Sequence, residues 1–202
     1  MDNNVKKKNT TRMTVVFVVM IVLVVGYYSY LVNKSKEEKA SLNVTAIERV
    51  LGRDLSNNYP ATPKEVIRYY NEILKCLYNE ESTPEEVDSL AVQSRELFDE
   101  ELLSVNELGT YLMNIEAEVK DYKSKSRRIA SISLASSANV DYYSLDGFDF
   151  ARIACTYIMA EGKANSASNM FYLLRKDENR KWKIYGWADA SKVKTSADDN
   201  GE

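Results

Sequence analysis

Side chains that commonly perform acid–base or nucleophilic chemistry are scarce in this sequence. The 202-residue chain contains no histidine, which excludes Ser/His and Cys/His nucleophile pairs and imidazole metal sites. Its two cysteines, Cys76 and Cys155, form no Cys-x-x-Cys motif and cannot complete the ligand set of a structural zinc site. We expect both to be unpaired thiols. We also expect no catalytic residue, no cofactor and no metal ligand.

Tyrosine hydroxyls and carboxylates remain as candidates for catalysis. Enolate chemistry requires a carboxylate base together with hydrogen-bond donors to the developing oxyanion. The residues that could supply these groups are Asp141, Tyr142, Tyr143, Tyr157, Tyr172 and Tyr185. We favour the alternative in which the tyrosines pack against a sheet and Asp141 lies at a strand edge. The chain is therefore not predicted to be an enzyme.

Two charged clusters have explanations that require no ligand. The acidic run at residues 80–88 lacks the Asp/Asn/Gly spacing of a calcium-binding loop, and carboxylates near the start of a helix are favoured by capping and by the helix dipole. The basic cluster at residues 123–128 has no interleaved aromatic residues, so we expect a solvated helix end. With a net charge of −3, no nucleic-acid partner is predicted.

An uncharged segment near the N-terminus predicts a membrane anchor. Residues 13–33 contain no Asp, Glu, Lys or Arg, and as a helix they extend roughly 30 Å, the thickness of a bilayer core. Tyr27, Tyr28 and Tyr30 lie near one end, where aromatic rings favour the interface. The preceding residues 1–12 carry the denser positive charge. They are predicted to be a cytoplasmic tail, with the remainder of the chain on the outer side of the membrane.

A cleaved signal peptide and a buried core helix are the alternatives for residues 13–33. A signal peptide needs small residues at its cleavage site, whereas this segment ends with bulky residues such as Tyr30 and Leu31. A core helix would have a polar face, which the segment lacks. We therefore expect a single-pass protein of the cell membrane that contacts the lipid bilayer through residues 13–33.

Helical periodicity dominates residues 62–123, after a charged stalk predicted at residues 34–61, within which Ile47, Val50 and Leu51 indicate a helix. A Thr-Pro-x-Glu motif occurs at residues 62–65 and again at residues 83–86. It combines a Thr cap, Pro at the first helical position and Glu that hydrogen-bonds back to the cap. Two copies are too few for a helical repeat. Amphipathic helices are predicted at residues 63–79, 84–103 (with a break) and 107–123.

The pattern changes from helical to alternating after residue 128. Asp146-Gly147 predicts a two-residue hairpin turn, and residues 191–202 predict a disordered tail. Helices followed by antiparallel strands predict an α+β fold, in which three helices pack on one face of a curved antiparallel sheet at residues 62–190. Strands are predicted at residues 129–135, 140–145, 148–160, 169–176 and 181–188.

Several segments resemble known families. The segments 171–177 (FYLLRKD) and 182–184 (WKI) resemble the closing strands of NTF2-like (cystatin-like cone) domains, and this likeness extends over residues 62–190. A second resemblance is to an uncharacterised family, a domain of unknown function, of membrane-anchored bacterial proteins. It implies an anchor followed by an extracytoplasmic NTF2-like domain, without an activity. The segments that carry it are 58–63, 75–81 and 97–102.

The resemblance leads to two hypotheses about function. NTF2-like domains include isomerases and dehydratases as well as interaction domains, and the absence of histidine from this sequence favours the latter. We expect an extracytoplasmic interaction module that binds a protein or a cell-envelope component. The alternative is a small-molecule-binding or enzymatic cone. The residues expected in the core, or in a possible pocket, are Tyr157, Tyr172, Leu173 and Trp182.

Overall fold

The computed structural model describes residues 25–29 and 44–192. Residues 25–29 are helical, and no helix among the described residues is long and apolar enough to cross a membrane. The remainder of the predicted anchor, the predicted cytoplasmic tail and residues 193–202 lie outside the described residues. Residues 46–192, which fall within the unit Ala46–Glu202, contain five α-helices and the sheet.

Five α-helices lie between residues 44 and 192, and all of them precede the strands. The helices are α1 (Ala46–Leu51), α2 (Pro63–Asn79), α3 (Pro84–Arg95), α4 (Glu100–Val105) and α5 (Leu108–Ser124). The break predicted in the second amphipathic segment is confirmed as the gap between α3 and α4. Within that gap Leu97 and Phe98 are buried in the core. This order of elements confirms the α+β class.

The two Thr-Pro-x-Glu motifs form the capping boxes that their sequence predicts. Thr62 accepts a hydrogen bond from the Glu65 backbone at 3.2 Å, and the Glu65 carboxylate accepts one from the Thr62 backbone at 3.2 Å. Thr83 and Glu86 form the same pair of bonds at the start of α3. Each box satisfies backbone N–H groups that a helix start leaves without partners. The starts of α2 and α3 are therefore fixed by local sequence.

Helix α1 lies within the segment that the sequence pattern assigned to a stalk. Ile47 and Val50 are buried, and the Tyr69 hydroxyl donates a hydrogen bond to the Val50 carbonyl at 2.8 Å. The helix packs against α2 and α3. The folded unit therefore begins at Ala46 and not at residue 62, because two apolar residues three positions apart share one face of a helix.

Five antiparallel strands form one sheet within residues 44–192. They are β1 (Arg127–Leu134), β2 (Asp141–Leu145), β3 (Phe148–Glu161), β4 (Ala164–Lys176) and β5 (Trp182–Asp189). The strand order is β1-β3-β4-β5, and β2 pairs with the first residues of β3. Positive φ angles at Asp146 (51°) and Gly147 (83°) form the predicted hairpin turn between β2 and β3. Register shifts after Ile129 and after Leu173 mark irregularities, which bend strands as β-bulges do.

The core lies between the helices and one face of this sheet. Alternate residues of β3 from Ala151 to Tyr157 are buried on that face, as the two-residue period of a strand requires. The segment between α3 and α4 is attached to β5 by two hydrogen bonds. Ile184 N–H donates to the Leu97 carbonyl at 2.7 Å, and Asp99 N–H donates to the Ile184 carbonyl at 2.8 Å. These bonds fix the start of α4 against the β5 edge of the sheet.

Candidate functional site

A cavity of about 340 Å³, here called the aromatic pocket, opens between helices α2 and α5 and the sheet. The helix-covered face of the sheet is therefore not completely filled. Most of the lining side chains are aromatic or contain sulfur, and they come from both helices and from three of the strands. These side chains are Tyr70, Tyr78, Tyr122, Tyr157, Met159, Met170, Tyr172 and Trp187.

Strand register and helix periodicity bring these side chains to one place. Tyr157 on β3 pairs directly with Ser168 on β4, and opposed residues in antiparallel strands point to the same face. Tyr172 follows Ser168 by four residues, so the period of two places it on that face as well. On α2, Tyr70 and Tyr78 are eight residues apart, which is about two helical turns. Both side chains line the pocket.

The rings of the pocket form two clusters. Tyr70 lies 6.0 Å from Tyr172 and 6.2 Å from Trp187 between ring centroids, and Tyr172 lies 6.2 Å from Trp187. Tyr78 and Tyr122 stack at 4.2 Å. Separations of this size are typical of favourable aromatic pairs. Trp187 remains 42% exposed, so part of this indole is accessible to a ligand.

A chain of hydrogen bonds crosses the floor of the pocket. The Tyr157 hydroxyl donates to Asn71 Oδ1 at 2.5 Å, and the Tyr157 and Tyr172 hydroxyl oxygens are 2.6 Å apart. A carbonyl oxygen only accepts hydrogen bonds, and a phenol has one proton to donate. Tyr172 must therefore donate to Tyr157, which in turn donates to Asn71. Asn71 Nδ2 points to Cys155 Sγ at 3.6 Å.

Burial keeps the phenols and thiols of this region neutral. It raises the pKa of Tyr157 and of Tyr172 far above that of a free tyrosine, and it also raises the pKa of Cys155. Burial is the largest cause for Cys76 as well, whose pKa rises to about 11. Both cysteines are free and buried, which confirms their predicted unpaired state. A thiol in this condition is a poor nucleophile near neutral pH.

Comparison with known families assigns the chain to one of them. The model of the family described as Domain of unknown function (DUF6715) matches residues 1–187. This chain belongs to that family. Among curated proteins, no sequence matches that of the chain. The expected membership in a family of unknown function is confirmed, and the aromatic pocket lies within the matched range.

The structure places the predicted pocket or core residues of this DUF6715 chain in three different environments. Tyr157 and Tyr172 line the aromatic pocket. Trp182 is 7% exposed and belongs to the hydrophobic core, where its ring lies 5.8 Å from that of Tyr142. Leu173 is half-buried on the opposite face of β4, since the residues on either side of it are directed to the helices.

The other candidates for enolate chemistry lie outside the pocket. Asp141 forms an exposed ion pair with Arg152 at 2.8 Å. Tyr142 and Tyr143 are exposed on β2, and Tyr185 donates a hydrogen bond to Glu101 at 2.7 Å. Of the six candidates, the fold brings together only the two tyrosines of the pocket floor.

The charged clusters of this DUF6715 chain are engaged in helix capping and in ion pairs. Among residues 25–29 and 44–192, no group of side chains has the arrangement of a metal site. In the acidic run, Glu86 caps α3 and Glu81 pairs with Lys123 at 3.4 Å. In the basic cluster, Arg127 pairs with Glu161 at 2.6 Å. These members of the two clusters are engaged by a cap and by ion pairs, whereas Asp88 Oδ1 in the acidic run is buried without a hydrogen-bond partner among the described residues.

Sequence reasoning missed three residues of the pocket region: Asn71, Glu118 and Trp187. Asn71 is a polar residue on the buried, apolar face of α2. A polar residue at such a position is uncommon, and this could have indicated from the sequence that Asn71 has a specific role. Glu118 lines the pocket from α5 although its side chain is exposed, and an exposed Glu on a helix carries no such signal. Trp187 reaches the pocket because the β4–β5 register shifts after Leu173, which the alternating pattern alone does not reveal.

A second polar cluster, missed from the sequence, lies where α4 meets β4 and β5. Arg175 contacts Asp99 through two hydrogen bonds of 2.5 and 3.0 Å and Glu101 through one of 2.8 Å. Hydrogen bonds from Tyr185 and Arg175 lower the pKa of Glu101. The guanidinium carbon also lies 4.8 Å from the ring centres of Phe148 and Tyr185. The cluster joins α4 to the sheet, so we assign it a structural role.

Proposed function

We propose that this DUF6715 chain is a membrane-anchored, extracytoplasmic binding module that holds part of a protein or of a cell-envelope component in the aromatic pocket, without changing it chemically. The observation that carries the proposal is an open cavity of about 340 Å³ with aromatic walls. Ligand-binding cavities generally measure about 300–1,000 Å³. The pocket therefore has room for a small ligand or for one large side chain of a partner.

The side chains that form the wall of the aromatic pocket are of types that favour ligand binding. Tyrosine and tryptophan provide a large contact area at a small cost in side-chain entropy, which is why they are enriched at binding sites. Trp187 presents an exposed ring at the pocket, and the half-buried Ser168 adds a polar group. A partner group that enters the pocket would gain aromatic contacts on several sides.

The direction of the hydrogen-bond chain supports binding over enolate chemistry. An oxyanion site needs donors that point to the ligand. Here Tyr172 donates to Tyr157 and Tyr157 donates to Asn71, so both protons are engaged within the protein and neither is free to bond to a ligand. The phenols and the Cys155 thiol are held neutral by burial. These features leave the pocket floor without an activated acid, base or nucleophile.

The order of elements supports an NTF2-like interpretation of the domain. Helices come first, a bent antiparallel sheet follows, and a pocket opens between the two layers. This is a fold-level analogy, and the proposed function depends on the pocket and not on the fold name. The uncharged residues 13–33 support the anchor. The family match begins at residue 1 and so includes this segment.

Site-specific photo-crosslinking tests the binding role of the aromatic pocket. A diazirine amino acid is placed in the full chain at Ser168, on the pocket face, or at Asn169, which is exposed on the other face of the same strand. In cells that naturally produce the protein, we expect adducts from position 168 and few from position 169. Equal adducts from both positions, or none from position 168, would refute the pocket as the binding site.

Protease treatment of intact protoplasts tests the proposed topology. External protease should degrade the domain while a cytoplasmic control protein survives. If the domain resists digestion in intact protoplasts but not after lysis, it lies in the cytoplasm and the proposed orientation is wrong. This result is independent of the crosslinking, which reports only on the pocket.

A further inference from the structure

The charge of the aromatic pocket is negative. Among the described residues that line it, Glu118 is the charged one. Burial and the nearby Glu118 carboxylate together raise the pKa of Tyr78. The Arg127 guanidinium lies 5.2 Å from the centre of the Tyr122 ring, but Arg127 does not line the cavity and is paired with Glu161. Within residues 44–192, no lysine or arginine of the lining balances the Glu118 charge.

The floor of the pocket offers a hydrogen-bond acceptor. Since the Tyr172 proton is directed to Tyr157, the Tyr172 oxygen keeps its lone pairs for another donor. Within the described part of the chain, no side chain other than Tyr157 hydrogen-bonds to Tyr172. A ligand that carries N–H or O–H donors would satisfy this acceptor, whereas one that carries only acceptors would not.

The walls present the type of surface that attracts cations. The face of an aromatic ring is negative, and a cation within about 6 Å of a ring centre is stabilised. Tyr70, Tyr172 and Trp187 form a corner whose ring centroids are 6.0–6.2 Å apart. A ligand with a positively charged group and an apolar body would match the Glu118 charge, the Tyr172 acceptor and the aromatic walls.

We infer that the aromatic pocket binds an alkylammonium group, a primary amine in its charged form on an apolar carbon chain. This inference rests on the proposed binding role and names the chemical class of the ligand. The ammonium N–H groups bond to Tyr172 and are neutralised by Glu118, and the carbon chain packs against Trp187 and Tyr70. A lysine side chain of a partner and a free aliphatic amine share this chemistry.

Calorimetric titration of the full chain in a nonionic detergent tests the inference. The probes are Nα-acetyl-lysine methylamide, 1,5-diaminopentane and the neutral Nα,Nε-diacetyl-lysine methylamide. At least one of the two amines should bind at least about tenfold more tightly than the neutral amide, which corresponds to about 1.4 kcal/mol. Glu118→Gln should weaken binding of that amine by a similar factor. Glu116→Gln on the same helix is the matched control, because Glu116 lines a different groove, and it should change affinity less than about twofold.

The Tyr172→Phe variant distinguishes the effect of the hydrogen-bond acceptor on Tyr172 from the effect of the negative charge on Glu118. It should weaken binding of an amine with N–H donors but leave tetramethylammonium, which has none, unaffected. Binding of the lysine derivative assigns the ligand to a protein side chain, and binding of the diamine alone assigns it to a free amine. Either result supports the inference.

Three outcomes would overturn the inference: equal affinity for the amines and the neutral amide, wild-type affinity in folded Glu118→Gln, or no binding of any amine to the folded chain. In each case, crosslinking from position 168 in cells would still report on the proposed function. If that crosslinking succeeds while the amines fail, the pocket binds a partner of different chemistry. If the amines bind but position 168 gives no adducts in cells, the inferred class of ligand is supported. The proposed binding of a partner in the pocket is then refuted.

Discussion

The ion-pair cluster between α4 and the sheet gives a sharp prediction about stability. In the Arg175–Asp99 pair the side chains are only 13% and 4% exposed. Removing one partner of a buried pair generally costs about 3–5 kcal/mol, because the other charge is left without compensation. Asp99 also accepts a hydrogen bond from the Glu101 backbone at 3.0 Å, which lessens that loss. We therefore expect Arg175→Met to lower the free energy of unfolding by about 3 kcal/mol.

The exposed pair Arg152–Asp141 provides the matched control. Its side chains are 40% and 61% exposed, and exposed pairs generally contribute less than about 1 kcal/mol. Arg152→Met should therefore cost less than about 1 kcal/mol. Urea unfolding of residues 44–192, followed by circular dichroism, measures both variants at pH 7. If the two substitutions cost the same, the buried ion pair does not stabilise the fold as we argue.

A double-mutant cycle isolates the contribution of the charge. Asp99→Asn keeps a side chain that caps α4 well, since asparagine is a good N-cap residue, but removes the carboxylate. Combined with Arg175→Met, it should show a coupling energy of about 1–3 kcal/mol. A coupling near zero would mean that Arg175 stabilises the domain by packing against Phe148 and Tyr185 and not through Asp99.

Three further predictions use the same domain. Trp182→Ala should cost about 3–5 kcal/mol in urea unfolding, and more than the partly exposed Trp187→Ala; the opposite order would place Trp182 outside the core. Since the pKa of Glu101 is lowered from the ordinary 4.5, its stabilising effect is present above that pH and is lost as the pH falls through the lowered pKa. Thermal melting should therefore show Glu101→Gln destabilised at pH 7, with the deficit in melting temperature shrinking as the pH falls below 4.5; a deficit that does not change with pH would contradict this. Cys76 and Cys155 should resist alkylation at pH 8 until urea unfolds the domain, because both are buried with raised pKa values; rapid labelling of the native domain, or a disulfide found by mass spectrometry, would contradict their assignment.

Local features of the sequence were sufficient to predict most elements of the fold. The capping motifs at residues 62–65 and 83–86 specify helix starts through neighbouring residues, and Asp146-Gly147 specifies a hairpin turn through its positive φ angles. The first half of β4 was missed because it begins at Ala164 with small and polar residues. That stretch is held as a strand by pairing with β3. Tertiary pairing thus overrode weak local propensity.

Residues of the candidate site could be predicted only where the alternation of apolar and polar residues in the sequence identifies the buried face of a strand. Tyr157 and Tyr172 lie on the buried face that the alternating pattern of their strands identifies, and both line the pocket. Leu173 follows Tyr172 directly, so a regular strand cannot direct both to the helices. Trp187 depends on a shift of register between strands. The contact of Arg175 with Asp99 joins residues 76 positions apart, and a single sequence contains no signal for such a pair.

Methionine NMR gives the most direct test of the central claim, which is that the aromatic pocket is the binding site. The domain at residues 44–192 contains Met113, Met159 and Met170. Met159 and Met170 line the pocket, whereas Met113 is 64% exposed and lines a separate groove between α3 and α5. With 13C-labelled methyl groups, addition of a solubilised cell-envelope fraction should shift or broaden the signals of Met159 and Met170 and leave that of Met113 unchanged. A change at Met113 alone, or no change at either pocket methionine, would contradict the account.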